Sequence, residues 1–246
     1  MRKIDEIEGV FFDCWDTLLE FHMPNPYWNI QTLKDHAYNS SSYDWNEIYE
    51  FSESFFKDYY FSRLRHELKV EQILELIKRY FSLKLDYSIE QCTHEILTQL
   101  APKPVMGASE FLSYLKTHNV PFACLSNTVY PMKDTKELLE KHLGHEFPLV
   151  LASCDIGVKK PNPLFFKTGV REMGLNVENC IYIGDKLVQD CYGSYLSGFY
   201  RSVYLNWKDD LKKQLKTLKD TNTPEFEYLE VDCYSTLMEK LNHDGI

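Results

Sequence analysis

Residues 11–17 read FFDCWDT, an apolar, β-rich run that ends in charged and polar side chains. Three later segments repeat this pattern in a fixed order: FACLSNT at 122–128, GVKKP at 157–161 and YIGDKLVQD at 182–190. Parallel α/β sheets bind their ligands at the carboxyl ends of the strands, so residues in such positions meet at one edge. The four segments therefore predict a single site assembled from distant parts of the chain.

Around these segments, single helices alternate with short apolar strands. A first strand is predicted over 7–13. Later helices are predicted over 108–118, 131–143, 163–173 and 188–197, each followed by a strand, and a basic helix over 208–219 precedes a strand at 226–231 and a last helix ending near 242. This alternation predicts right-handed crossovers and an α/β fold, with a Rossmann-like parallel sheet covered by helices on both faces.

A helical segment interrupts the alternation after the first strand. Apolar residues recur there at three- and four-residue steps, the spacing typical of amphipathic helices. The predicted helices cover 44–64, 70–83 and 88–100. Two prolines and a glycine in APKPVMG at 101–107 end the segment, because these residues break helices. We therefore predict a Rossmann-like core of residues 1–20 and 103–246 and a helical domain of residues 21–102 inserted into it.

Composition restricts the class of partner. The chain has 246 residues and a formal net charge of −10, which disfavours nucleic acid and anionic membranes because both would approach a surface of like charge. No apolar stretch reaches transmembrane length, and the N-terminal MRKIDEIEGV lacks the hydrophobic segment of a signal peptide. Seven cysteines without a C-x-x-C pair indicate reduced thiols. These features predict a cytoplasmic protein that binds neither nucleic acid nor membrane.

In this order and at strand ends, the four segments resemble the motifs of the haloacid dehalogenase (HAD) superfamily, and the helical insert occupies the position of that family's cap. The resemblance implies a hydrolase in which Asp13 is the nucleophile. A carboxylate can form a covalent intermediate that splits one hard displacement into two easier steps. Read alone, Asp13 is equally compatible with a polar residue that caps the turn after a strand.

Ser126 and Lys160 match two further positions of the family. Ser126 lies where the family places a hydroxyl that binds a transferring phosphoryl oxygen, and Asn127 beside it is assigned to substrate binding. Lys160 matches the basic residue that offsets negative charge on nucleophile and substrate, a role suited to a compact ammonium. Without the other motifs, Ser-Asn after a strand is typical of a turn. The neighbouring Lys159 is interpreted as facing solvent.

Asp185 and Asp190 match the acidic motif that holds magnesium in the family. Mg²⁺ prefers hard oxygen ligands and is typically bound by one or two carboxylates together with substrate phosphate. The resemblance implies a site formed by Asp13, Asp185 and the backbone carbonyl of Trp15, with Asp190 as an outer carboxylate or a further ligand. The residues alone leave another interpretation open, in which the two acids stabilise a helix start.

Trp15 departs from the family's phosphatases, which carry a second aspartate two residues after the nucleophile. That aspartate protonates the leaving group and then activates water, whereas indole has one N–H donor and no titratable proton. General acid–base catalysis contributes typically about 10²–10⁴-fold. Asp16 and His22 are the candidate replacements. We therefore expect a phosphatase that is weak or selective for good leaving groups.

Other branches of the family also lack that acid. Haloacid dehalogenases carry an aromatic residue there, but they work without metal and lack the Gly-Asp pair present here as Gly184-Asp185. Phosphonate hydrolases need a cap lysine that this sequence does not identify. We favour Mg²⁺-dependent hydrolysis of a small phosphorylated metabolite through an aspartyl-phosphate at Asp13. The alternatives are a binding or regulatory protein that kept the metal site without turnover, and a dehalogenase-like or phosphonatase-like hydrolase.

The helical insert is rich in Tyr, Phe and Trp, which we interpret mainly as packing between helices. The polar candidates for substrate selection are His22, Arg63, Arg65 and His66. Each is also compatible with a solvated or paired surface position, because most loop residues bind nothing.

Overall fold

The computed structural model describes residues 2–21, 28–55 and 67–242. The chain divides into two compact units: Met1–Phe21 together with Pro102–Ile246, and His22–Ala101. We call them the sheet unit and the helical unit. Their roles as catalytic core and cap stay predictions.

A parallel β-sheet forms the centre of the sheet unit. Its strands are β1 (Gly9–Phe12), β2 (Phe122–Ser126), β3 (Val150–Ala152), β4 (Cys180–Gly184), β5 (Arg201–Leu205) and β6 (Leu229–Val231). They lie in the order β3-β2-β1-β4-β5-β6, and each neighbouring pair is parallel. The strand order reverses between β1 and β4, and in such sheets the crevice at that point binds ligands. The predicted α/β fold with a Rossmann-like parallel sheet is confirmed.

Helices connect these strands and form the second unit. In chain order they are α1 (Trp28–Asp35), α2 (Trp45–Ser54), α3 (Val70–Tyr80), α4 (Ile89–Gln99), α5 (Ala108–Thr117), α6 (Met132–Leu143), α7 (Ser153–Ile156), α8 (Pro163–Glu172), α9 (Gly193–Ser197), α10 (Leu211–Asp220) and α11 (Tyr234–Asn242). The first four belong to the helical unit. In the described parts of the chain, no helix is both long and apolar enough to cross a bilayer.

Helices cover both faces of the sheet, which explains why its central strands read as nearly continuous apolar runs. Every residue of β1 is buried. On one face, the ring of Phe11 packs edge-on against Phe199, with centroids 5.6 Å apart. Successive strand residues point to opposite faces, and Phe12 accordingly lies 6.0 Å from Phe111 of α5. Both faces of β1 are thus packed up to Phe12, the residue directly before Asp13.

The segment after β4 differs from the regular helix predicted over 188–197. It begins with a π-helical turn, Leu187–Tyr192, and only Gly193–Ser197 is α-helical. The amide N–H of Cys191 donates to the carbonyl oxygen of Lys186, five residues earlier, at 3.2 Å. Such wider turns are rare and recur at functional sites. Here the turn contains Asp190, one of the predicted metal ligands.

The start of α8 matches its prediction, whereas β6 is shorter than predicted. Asn162 begins α8 as predicted, because its side-chain oxygen accepts the Leu164 N–H at 3.0 Å and Pro163 occupies the first turn. The strand predicted over 226–231 is shorter in the structure, where only Leu229–Val231 pairs. It lies at the edge of the sheet and has β5 as its one neighbour there.

Amphipathic helices pack together in the helical unit. The buried residues of α3 recur at three- and four-residue steps, namely Val70, Ile73, Leu74 and Ile77. Ser88 caps α4, since its hydroxyl accepts the Gln91 N–H at 3.1 Å. The helix predicted over 44–64 is present as α2, and residues 56–66 lie outside the described residues.

His36 links the end of α1 to two carboxylates. Its Nδ1 lies 3.1 Å from Asp86 Oδ1, and its Nε2 lies 2.8 Å from Glu95 Oε2. The imidazole also stacks on Tyr87. Burial alone would lower the pKa of His36, but the hydrogen bonds to Glu95 and Asp86 outweigh it and raise this pKa above its usual value.

His36→Gln is expected to destabilise the helical unit in a pH-dependent way, by about 1 kcal/mol at most. A raised folded-state pKa means that the contribution is fully present below the unfolded pKa of about 6.5 and is lost as pH rises through the folded value. The difference in free energy of unfolding between wild type and variant should therefore be constant below about pH 6.5 and shrink as the pH rises above that value. Urea titrations across that range measure it. A difference that grows with pH would contradict the ion-pair assignment.

Candidate active site

The carboxyl ends of three adjacent strands bring predicted site residues to one crevice of the sheet unit. Asp13 follows β1, Ser126 ends β2, and Asp185 follows β4. The Asp13 amide N–H donates to the Ile183 carbonyl oxygen at 2.9 Å, so strand pairing continues up to the residue that carries the carboxylate. All three predicted side chains are buried.

Lys160 supplies a positive charge inside this crevice. From the loop before α8, its Nζ lies 2.7 Å from Asp13 Oδ1 and 2.6 Å from Asp190 Oδ1. The Lys160 side chain is only 1% exposed, so one ammonium serves two carboxylates away from water. Lys159 is partly exposed. The structure thus separates two neighbouring lysines and places Lys160 at the site.

Asn127 holds the backbone of Lys160. Its Nδ2 donates to the Lys160 carbonyl oxygen at 3.0 Å, and its Oδ1 accepts the Lys160 N–H at 2.8 Å. This paired contact ties the loop after β2 to the loop that carries the lysine. It gives Asn127 a positioning contact that sequence reasoning missed. The predicted contact between Asn127 and substrate stays a prediction.

Three carboxylates meet in the crevice. Oxygen atoms of Asp13, Asp185 and Asp190 all lie within 4.8 Å of one another. The approach of Asp190 depends on Gly184, because a Cβ at that position would overlap the Asp190 carboxyl group. The Lys186 N–H also donates to Asp190 Oδ2 at 3.0 Å. The turn from β4 into the π-helical segment is therefore built around one buried carboxylate.

Burial makes the charges of this cluster costly. It raises the pKa of Asp13 to about 6 and that of Asp185 to about 7, against the lowering effects of Lys160 on Asp13 and of Lys186 on Asp185. Burial would lower the pKa of Lys160, but Asp13 and Asp190 favour its charged form and raise that pKa. Three acids face two lysines in the cluster. An additional cation would offset the remaining negative charge.

The donor set fits a magnesium ion. Carboxylate oxygens are the hard ligands that Mg²⁺ prefers, and the ion usually keeps water and substrate oxygens as well. Asp13, Asp185 and Asp190 offer such oxygens at a buried position. Within the described ranges, no other trio of histidine, cysteine or acidic residues comes this close together. The Trp15 carbonyl as a further ligand stays a prediction.

Ser126 contributes a buried hydroxyl. Its Oγ has no hydrogen-bond partner among the described residues. Leaving a buried polar group unsatisfied costs about 1–3 kcal/mol, and such groups in folded proteins call for an explanation. A ligand oxygen that accepts from Ser126 would supply one, in agreement with the role that the resemblance implies.

Polar and aromatic contacts anchor the indole of Trp15. Its Nε1 lies 3.4 Å from Thr128 Oγ1, in the loop after β2. The ring packs edge-on against Phe21 and Tyr130, with centroid distances of 5.2 and 6.0 Å. These contacts hold the side chain beside the loop that follows Ser126, and they add no group able to exchange a proton.

Asp16 has partners of its own. Its φ of 57° lies in the left-handed region, which aspartate adopts less readily than glycine. Its Oδ1 lies 2.6 Å from Lys208 Nζ and accepts the Phe21 N–H at 3.0 Å. The carboxylate is thus engaged with groups other than the acid cluster, which argues against Asp16 as the replacement acid. His22, Arg63, Arg65 and His66 lie outside the described residues.

Sequence reasoning missed two further side chains of the cluster, Tyr182 and Lys186. The Tyr182 hydroxyl accepts from Lys160 Nζ at 2.9 Å and donates to the Leu125 carbonyl oxygen at 3.1 Å. A signal was available, because a tyrosine inside a buried strand needs a partner for its hydroxyl. Lys186 follows Asp185 directly, and its ammonium contacts Asp185 Oδ2.

A comparison with known families identifies the chain as a hydrolase. Residues 7–193 match the model of the haloacid dehalogenase-like hydrolases. The match includes all four motif segments. The chain therefore belongs to the HAD-like hydrolase family, and the resemblance inferred from the motifs is confirmed.

The curated relatives that match the chain include phosphatases. It is 28% identical over 154 residues to the glyceraldehyde 3-phosphate phosphatase of Pyrococcus furiosus, covering 53% of this chain and 64% of that protein. It is 31% identical over 99 residues to the phosphoserine phosphatase of Thermus thermophilus, covering 40% and 39%. The chain thus spans less than two thirds of either relative. The crystal structure of a HAD phosphatase from Thermococcus onnurineus has a TM-score of 0.65 at 18% identity, covering 98% of this chain and 100% of that one, and this likeness shows the fold alone.

Proposed function

We propose that this hydrolase cleaves phosphate monoesters of small metabolites through an aspartyl-phosphate at Asp13. The observation that carries the proposal is the buried Lys160, whose Nζ bridges Asp13 and Asp190 at 2.7 and 2.6 Å. A carboxylate that approaches an anionic phosphoryl group meets repulsion, which a positioned cation offsets. The phosphatase names of the curated relatives support the same reaction class.

Two displacements at phosphorus make up the proposed reaction. An Asp13 oxygen attacks phosphorus, and the bond to the ester oxygen breaks so that the leaving group departs with the bonding electrons. Water then attacks the phosphorus of the acyl phosphate and the bond from phosphorus to the Asp13 oxygen breaks. Phosphate is released, the carboxylate is restored, and the proton of the attacking water passes to solvent. Ser126 donates its hydroxyl to a phosphoryl oxygen, and Lys160 offsets negative charge in both steps.

Asp13, Asp185 and Asp190 would hold Mg²⁺ in the proposed enzyme, with the Trp15 carbonyl as a further ligand. The bound ion would supply neutralisation of charge on the phosphoryl oxygens. Gly184 serves this arrangement by leaving space for the Asp190 carboxyl group.

The sheet unit is the proposed catalytic core, and the helical unit is the proposed cap. Substrate selection by His22, Arg63, Arg65 and His66 belongs to the same proposal. The substrate class is a small phosphorylated compound, as the names of the phosphatase relatives suggest.

The enzyme is expected to cleave aryl and acyl phosphates far faster than alkyl phosphates, because neither Trp15 nor Asp16 protonates the leaving group. A general acid at this position would contribute about 10²–10⁴-fold to the rate. The measurement is kcat/KM for matched aryl and alkyl esters with Mg²⁺ and with a chelator. Trp15→Asp combined with Asp16→Gly should raise the alkyl rate and narrow the gap. Efficient alkyl turnover by the wild type would mean that another group supplies the proton.

The same assay separates the alternatives. A folded protein that binds Mg²⁺ but turns over no ester would favour the binding or regulatory function. Release of halide from a 2-haloacid without metal would favour the dehalogenase branch. Activity on a phosphonate alone would favour the phosphonatase branch.

A further inference from the structure

A second lysine contacts the acid cluster from its rim. Lys186 follows Asp185 directly in sequence, and its Nζ contacts Asp185 Oδ2. The Asp185 side chain is 7% exposed, whereas that of Lys186 is 41% exposed. The contact therefore joins a buried carboxylate to a partly exposed side chain.

The two lysines of the cluster differ in how easily their ion pairs with the carboxylates can be broken. Lys160 is 1% exposed and pairs with both Asp13 and Asp190. Removing its charge would leave two buried carboxylates without a counter-charge. Lys186 contacts the remaining carboxylate, Asp185, and its side chain is partly exposed. Ion pairs of partly exposed side chains contribute little free energy, so this pair breaks at low cost. Of the two lysines, Lys186 is therefore the one whose ammonium a metal ion can replace beside its carboxylate.

We propose that Lys186 is an internal competitor for the divalent cation: its ammonium neutralises Asp185 in the metal-free protein and is displaced when Mg²⁺ binds Asp13, Asp185 and Asp190. This inference rests on the metal site of the proposed function. It assigns Lys186 control over metal affinity, without any contact to the substrate.

The backbone around Lys186 permits this exchange without rearrangement. Its amide N–H donates to Asp190 Oδ2 at 3.0 Å, and its carbonyl oxygen accepts the amide N–H of Asp190 at 3.0 Å. Both contacts are independent of the side chain. Replacing Lys186 by methionine thus removes the charge and leaves the turn that positions Asp190.

Calorimetric titration of Mg²⁺ into the full-length protein tests the proposal. Lys186→Met is expected to bind Mg²⁺ about fivefold more tightly than the wild type, the upper size expected for losing one partly exposed ion pair. Without metal, the variant should have a lower Tm, and Mg²⁺ should raise its Tm by more than it raises that of the wild type.

Lys208→Met is the matched control. The Lys208 side chain is 37% exposed and pairs with Asp16 at 2.6 Å, so it resembles Lys186 in exposure but not in its partner. Its Mg²⁺ affinity should equal that of the wild type. Lys186→Gln serves as a second charge-removing variant should the methionine variant not fold.

Amine acetylation of the wild type, mapped by peptide, provides a test without substitution. Mg²⁺ should increase modification of Lys186 and leave that of Lys208 unchanged. Equal or weaker Mg²⁺ affinity in the Lys186 variants, or acetylation of Lys186 that does not rise with Mg²⁺, would overturn the competitor role while the metal site stands. Absence of Mg²⁺ binding by the wild type and all variants would overturn both the metal site and the inference.

Discussion

Asp13→Asn is expected to abolish phosphate-ester turnover while the protein stays at least as stable as the wild type. An amide oxygen is a poor nucleophile, so the proposed first displacement stops, with an expected loss of more than about 10⁴-fold in kcat. Stability behaves differently because the variant removes one of three crowded buried acids, while Lys160 keeps Asp190 at 2.6 Å. The measurements are kcat on an aryl phosphate and the urea midpoint without metal.

Asp16→Asn is the control for that substitution. Asp16 is also an aspartate of the first motif, but its carboxylate pairs with Lys208 and the Phe21 N–H. We expect turnover within a few-fold of the wild type. Turnover that survives in Asp13→Asn would contradict the assignment of the nucleophile. An equal loss in Asp16→Asn would instead indicate that Asp16 takes part in proton transfer.

Lys160→Met is expected to impair both stability and turnover. Removing one partner of a buried ion pair typically costs about 3–5 kcal/mol, because the opposite charge stays buried without compensation. Here two carboxylates, Asp13 and Asp190, lose their shared cation. Loss of one preorganised group that stabilises the transition state reduces kcat by about 10²–10³-fold. Urea unfolding and steady-state kinetics measure the two effects.

Two further variants distinguish the loss of the Lys160 charge from a general loss of stability. Lys159→Met alters the neighbouring, partly exposed lysine, and should change stability by less than about 1 kcal/mol. Lys160→Met combined with Asp190→Asn should recover part of the lost stability, since one uncompensated charge disappears, but not the lost turnover. Wild-type stability in Lys160→Met alone would contradict the buried-pair assignment.

The sequence was sufficient to predict the parallel sheet. It was also sufficient to predict that four charged residues meet at one site, namely Asp13, Lys160, Asp185 and Asp190. Apolar runs that end in charged residues identify strand ends, and parallel strands place those ends at one edge. The structure brings the four charged groups together through contacts of 2.6 to 2.7 Å to Lys160 Nζ and an acid cluster within 4.8 Å.

The sequence could not predict hydrogen-bond and ion-pair partners that depend on how distant segments pack in three dimensions. The Tyr182 hydroxyl finds Lys160 and the Leu125 carbonyl because β4, β1 and β2 lie side by side, information that the spacing of residues does not contain. The two hydrogen bonds between Asn127 and the Lys160 backbone join residues that are 33 positions apart in the sequence. The pairing of Asp16 with Lys208 likewise depends on the positions of distant loops.

The π-helical turn was also missed, and its cause is local. The side chain of Asp190 is buried against Gly184, where a Cβ would overlap it, and its carboxylate accepts the Lys186 N–H. A pattern of apolar residues reports helical periodicity but not such a contact between side chain and backbone. The widened turn accommodates this carboxylate at the start of the helix.

Trapping of the phosphoenzyme tests the central claim most directly. Because Trp15 deprives the second displacement of a general base as well, the aspartyl-phosphate should accumulate when the leaving group is good. The protein is mixed with Mg²⁺ and an aryl phosphate, quenched in acid within the first turnover, and mapped by mass spectrometry. We predict one phosphoryl group on Asp13, removable by hydroxylamine and absent in Asp13→Asn. Turnover without any label on Asp13, or a label that persists in Asp13→Asn, would contradict the proposed mechanism.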